Sequence, residues 1–96
     1  MKLITQMRDE FTSASNTLNV CANLVPKEHE KIKTDLTNAA NIYAAMALDL
    51  SHYGISEVVM HHSKALDLLP KWVELAELGQ TGHNVFNLLK EVKRLS

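Results

Sequence analysis

The sequence predicts an all-α fold: a compact helical bundle of three long helices, the third interrupted at Pro70, and a short C-terminal helix. Three observations carry this. Apolar residues recur at alternating steps of three and four along most of the chain, the period of a helix face. Three glycines and two prolines are the only breakers in 96 residues, too few for the turns of an all-β domain. Aromatic residues make up 5% while Leu and Ala dominate the apolar set, which suits helices better than strands.

The first helix is expected from about Leu3 to Val25. Ile4, Met7, Phe11, Ala14, Leu18, Cys21 and Val25 alternate three and four without a miss, the spacing of a heptad seam. Its other faces carry Thr, Ser and Asn, which form helix poorly alone, so packing must hold it. Pro26 lacks a backbone N–H and fits the first position of a second helix, where Glu28 and Glu30 favour the positive end of the dipole. Ile32, Leu36, Ala39, Tyr43, Met46, Leu50 and Tyr53 continue the alternation to about His52. Ala40, Ala44 and Ala47 add a small-residue stripe that lets a neighbouring helix approach. Gly54 is expected to close the helix in the left-handed conformation.

Ser56 is the expected N-cap of the third helix. Its apolar face, Val59, His62, Leu66, Leu69, Val73 and Ala76, is widened by Val58, Ala65, Leu68, Trp72 and Leu75. That width exceeds what a two-helix seam needs. Pro70 removes a helical hydrogen bond and clashes with the preceding turn, so a kink is expected, or a restart with Leu69 as the last non-helical residue. Gly79 closes this helix, Thr81 caps the next, and Val85, Leu88, Leu89, Val92 and Leu95 form the inner face of the last.

The chain is one domain, residues 1–96, since its length supports a single core. Its 10 basic and 11 acidic residues give a net charge of −1, which excludes a histone-like polyanion binder. A single cysteine, Cys21, forms no internal disulfide, and on a seam position it reads as a small core hydrophobe rather than a reactive thiolate. No apolar run has the length of a signal peptide or membrane span, so a cytoplasmic protein with no membrane partner is expected.

Candidate chemistry is sparse. Asp49 and His52 are three apart and Glu57 and His61 four apart, each pair sharing a helix face beside Gly54. A carboxylate-bridged metal site wants a matching pair from a second helix, and no second copy of the Asp-x-x-His exists. No metal and no cofactor is therefore expected. No phosphate loop, nucleophile elbow or His-Glu-x-x-His motif occurs, and Ser51, Ser56 and Ser63 lack carboxylates placed to orient a triad. No catalytic residue is assigned.

The segment from Pro70 to Leu95 is a short helix, a Gly turn, a Thr and a helix with Val85 and Leu88 inward, and it resembles a helix-turn-helix. The resemblance implies base or backbone contacts from Gln80, Thr81, His83, Asn84 and Asn87, with Lys90, Lys93 and Arg94 near phosphates. The spacing departs from the motif, because Ala76 and Gly79 are three apart where four is usual. The leading turn has no arginine, and Glu74 and Glu77 precede it. The expected function is thus a non-catalytic protein–protein interaction module, self-associating, that serves as an adaptor or inhibitor of a larger assembly. Its protein partner is not identified by the sequence. The alternative is a dimeric helix-turn-helix DNA-binding regulator using residues 70–95.

Overall fold

The computed structural model describes residues 4–95. The helices are α1 (Ile4–Leu24), α2 (Glu30–Leu48), α3 (Ile55–Asp67), α4 (Trp72–Ala76) and α5 (Gln80–Lys93), with 3₁₀ turns at Lys27–His29 and Leu50–His52. No strand occurs among the described residues. The expected start at Leu3 lies outside them. The bundle measures 39 × 20 × 18 Å. α1 and α2 form a long antiparallel hairpin, α5 packs on α1, α3 on α2, and α4 on α5.

The two predicted seams face each other. Phe11, Ala14, Leu18, Cys21 and Val25 are buried against Ile32, Leu36, Ala39, Tyr43, Met46 and Leu50. Both seams stop at the same end of the hairpin, where Ile4 is exposed and Met7 and Tyr53 are half-buried. Of the alanine stripe, Ala40 and Ala47 are buried but Ala44 is exposed. At the opposite end Lys33 Nζ donates to the Val25 carbonyl at 2.9 Å and to that of Ala22. Its ammonium thereby caps the carbonyl end of α1, where a cation favours the dipole.

Four expected helix ends are corrected. Pro26 is extended (ψ 153°) and precedes the 3₁₀ turn rather than opening the helix. α2 stops at Leu48, because Asp49 leaves helical geometry (φ −134°) and its carboxylate accepts a hydrogen bond from the His52 ring; Gly54 keeps a negative φ. Gly54, not Ser56, precedes α3, and Glu57 Oε1 accepts the Gly54 N–H at 3.2 Å. Gly79 (φ 64°), not Thr81, precedes α5; an L side chain would be strained at that φ.

The interruption at Pro70 is present and wider than expected. α3 ends at Asp67, and four residues pass before α4 starts behind an extended Lys71, whose N–H donates to Glu74 Oε1 at 3.3 Å. Proline disfavours helical geometry at the residue before it, so the chain leaves and re-enters helix around Pro70. The re-entry sets the phase of α4, in which Leu75 is buried and the expected Val73 and Ala76 are exposed. Before the break the expected Leu69 is buried, as is Ala65, whereas the expected Val59 is exposed.

Burial alters two protons in the core. It pushes the Cys21 thiol up from 9.0 to about 11 and the Tyr43 phenol up from 10.0 to about 12, because the charged forms lose water. Below pH 9 both groups are protonated whether folded or not, and the full stability is present. Between pH 9 and 12 the unfolded chain releases these protons first, so stability falls as pH rises. The urea midpoint should therefore decline from pH 8 to 11, and Cys21→Ala should remove the part beginning near pH 9. A midpoint equal at both pH values would refute this.

Candidate functional site

Two surfaces stand out. The first is the outer face of α5. Val85, Leu89 and Val92 hold the helix in the core and Gly82 sits against the α4 backbone. The opposite side therefore exposes Gln80, His83, Asn84, Asn87, Lys90, Lys93 and Arg94, with Thr81 half-buried. Gln80 Nε2 donates to Asn84 Oδ1 at 3.1 Å. Trp72 packs on Phe86, ring centroids 4.9 Å apart, and edge-on to His83 at 6.2 Å. Lys90 and Lys93 Nζ lie 5.2 and 5.6 Å from the Phe86 centroid, within cation–π range. Arg94 lies 3.8 Å from Glu91. Glu74 and Glu77 line a shallow groove with Glu28, Glu30 and Lys31 at the start of α2, and among the described residues neither is ion-paired with Lys90, Lys93 or Arg94.

The second surface is the end of the bundle where the seams stop. Ile4, Met7 and Phe11 of α1, Leu50 and Tyr53 of the turn, and Ile55, Val58 and Val59 of α3 line an apolar groove of about 410 Å³. Glu10, Ser51 and His62 are its polar lining. Of its lining, Ile55 is 83% exposed, Val59 62% and Ile4 53%; the neighbouring Met60 on α3 is 54% exposed. The single signal for this surface in the sequence is the excess apolar width of the third helix.

His62 ties the groove to the core. The Leu95 carbonyl can only accept, so His62 Nε2 carries a proton and donates to it at 3.1 Å, and Nδ1 accepts from the Tyr43 hydroxyl at 2.7 Å. The ring also packs on Phe11 and Tyr43. With both nitrogens engaged, His62 links α2, α3 and the chain end and is not poised as a base.

The histidine pairs separate. His52 donates to Asp49, whereas His61 packs edge-on to Tyr53 at 5.4 Å and Glu57 is turned to the Gly54 amide. Among the described residues no three His, Cys, Asp or Glu side chains gather as metal ligands, and no hydrogen bond joins Ser51, Ser56 or Ser63 to a histidine. No described helix is long and apolar enough to cross a membrane.

No protein-family model matches the chain, and comparison with curated proteins and with solved structures finds no significant similarity. Function therefore has to follow from these two surfaces.

Proposed function

We propose that this chain is a non-catalytic helical interaction module that works in the cytoplasm by binding protein, a second copy of itself first, and so serves as an adaptor or inhibitor within a larger assembly. The observation that supports this reading is the apolar end of the bundle. Ile4, Ile55 and Val59 line one groove and are all more than half exposed. A cluster of large apolar side chains on one end of a small domain is the pattern of an interaction surface, whereas single exposed apolar residues need no explanation. Sedimentation equilibrium tests it. A dimer is expected with a dissociation constant of about 10 μM or below, and Val59→Asp should weaken it while leaving the helical content intact. A strict monomer at higher concentrations removes the reading.

One observation favours the alternative of a dimeric helix-turn-helix regulator. Glu74 and Glu77 border a groove with the start of α2, and among the described residues neither forms an ion pair with Lys90, Lys93 or Arg94. Selection of a defined sequence from a random DNA library would support it, with Asn84→Ala weakening specific binding by about 1 to 3 kcal/mol and Lys90→Ala flattening the salt dependence. The first reading is preferred because α5 holds Glu91 against Arg94 and engages both lysines on Phe86.

A further inference from the structure

α3 carries a charge pattern that its own bundle leaves unused. Glu57 and Lys64 are seven residues apart, which places them within about 20° of each other around the helix. Both are exposed. Glu57 accepts the Gly54 N–H, and among the described residues it meets no cation and Lys64 has neither a hydrogen bond nor an ion pair. Beside this row, on the outward face, lie Met60, Ser56 and Ser63, with Val59 on the far flank about 160° from Glu57, all exposed. The pattern is nearly symmetric about Met60: a serine and an acid before it, a serine and a base after it.

Such a pattern is complementary to itself in one orientation. In a parallel pair of α3 helices Glu57 meets Glu57 and Lys64 meets Lys64, which is repulsive at both ends. In an antiparallel pair centred on Met60, residues whose numbers sum to about 120 face each other. Glu57 of each copy then faces Lys64 of the other, and Ser56 faces Ser63, where small side chains allow close approach. Met60 meets Met60. A two-fold axis makes every contact occur twice, as an isologous interface requires. Flanking charge pairs contribute little affinity but choose partner and direction, and Met60 supplies the apolar area.

We propose that a second copy of this chain docks on α3 in this antiparallel, two-fold arrangement, with Met60 at the axis and Glu57 against the second copy's Lys64. This rests on the self-association reading above and names its surface. Val59, one wall of the apolar groove, flanks this contact on the side away from Glu57.

Charge reversal of the full-length chain tests it, followed by sedimentation equilibrium at low salt. Glu57→Lys puts two like-charge contacts into its own dimer, and Lys64→Glu does the same, so each variant alone should dimerise about tenfold more weakly than the parent. An equimolar mixture of the two should recover parental affinity as a heterodimer, because Lys at position 57 then faces Glu at 64 and the native Lys64 faces the native Glu57. Loss of the Glu57 bond to Gly54 is common to the variant alone and to the mixture, so recovery reads the pairing and not helix capping. Circular dichroism of each variant checks that it folds. A parent that dimerises while both variants match it, or a mixture that recovers nothing, overturns the α3 pairing and leaves self-association standing. A monomeric parent overturns both, and a different protein is then what covers α3.

Discussion

Gly82→Ala is expected to weaken the fold by about 3 kcal/mol, at the upper end of what overpacking costs, even though alanine is the better helix former by about 1 kcal/mol. A Cβ on Gly82 would stand 1.7 Å from the Leu75 carbonyl oxygen, 2.7 Å from its carbon and 3.1 Å from Leu78 Cβ. The first two obstacles are backbone and cannot rotate aside. α4 must lift from α5, which pulls Leu75 out of the core and Trp72 off Phe86. The urea midpoint reads the loss, and Trp72 fluorescence should report the hairpin opening. A variant as stable as the parent would show that the two helices do not approach this closely. The DNA-binding alternative feels this change most, since the outer face of α5 is presented by that contact.

Leu18→Asp is expected to abolish folding at 25 °C. Leu18 is fully buried in the middle of α1, and an unpaired carboxylate there costs several kcal/mol in addition to the lost apolar burial. A chain of this size has only about 5–10 kcal/mol in total. Tyr43→Asp should act alike, for it buries a charge and also strips His62 of the hydroxyl at Nδ1. Leu48→Asp is the control, because its side chain is almost wholly exposed and a surface change of this kind shifts stability by about 0.5 kcal/mol at most. Circular dichroism separates the outcomes. Retention of helix and cooperative melting in Leu18→Asp would place α1 in a different register from the one seen.

The two surfaces differ in how far the sequence announces them. The polar residues of α5 are legible because Val85, Leu89 and Val92 mark the inner face at regular spacing, and everything opposite them is then outward. That Glu74 and Glu77, among the described residues, form no ion pair with its lysines or Arg94 is not legible. Their direction depends on the phase at which α4 restarts after Pro70, which the extended Lys71 and the Glu74 bond to its amide set. The groove end is harder still. Val59 satisfies the helical period of the third helix as well as Ala65 does, and periodicity alone does not say which of two overlapping apolar stripes meets a neighbour.

The sequence by itself determined the class of the fold and the inner faces of α1 and α2, since an unbroken three-four alternation defines one face per helix; that the two faces pair within one chain is the structure's contribution. Tertiary structure decided the rest. It chose Ala65 and Leu75 over Val59, Val73 and Ala76, brought Gly82 onto the Leu75 carbonyl, joined Tyr43, His62 and Leu95, and left Ile55, Val59 and Met60 uncovered. The reason is geometric: a period is a property of one helix, whereas burial on a broad apolar helix depends on where the other helices end, and here α1 and α2 stop short of covering α3.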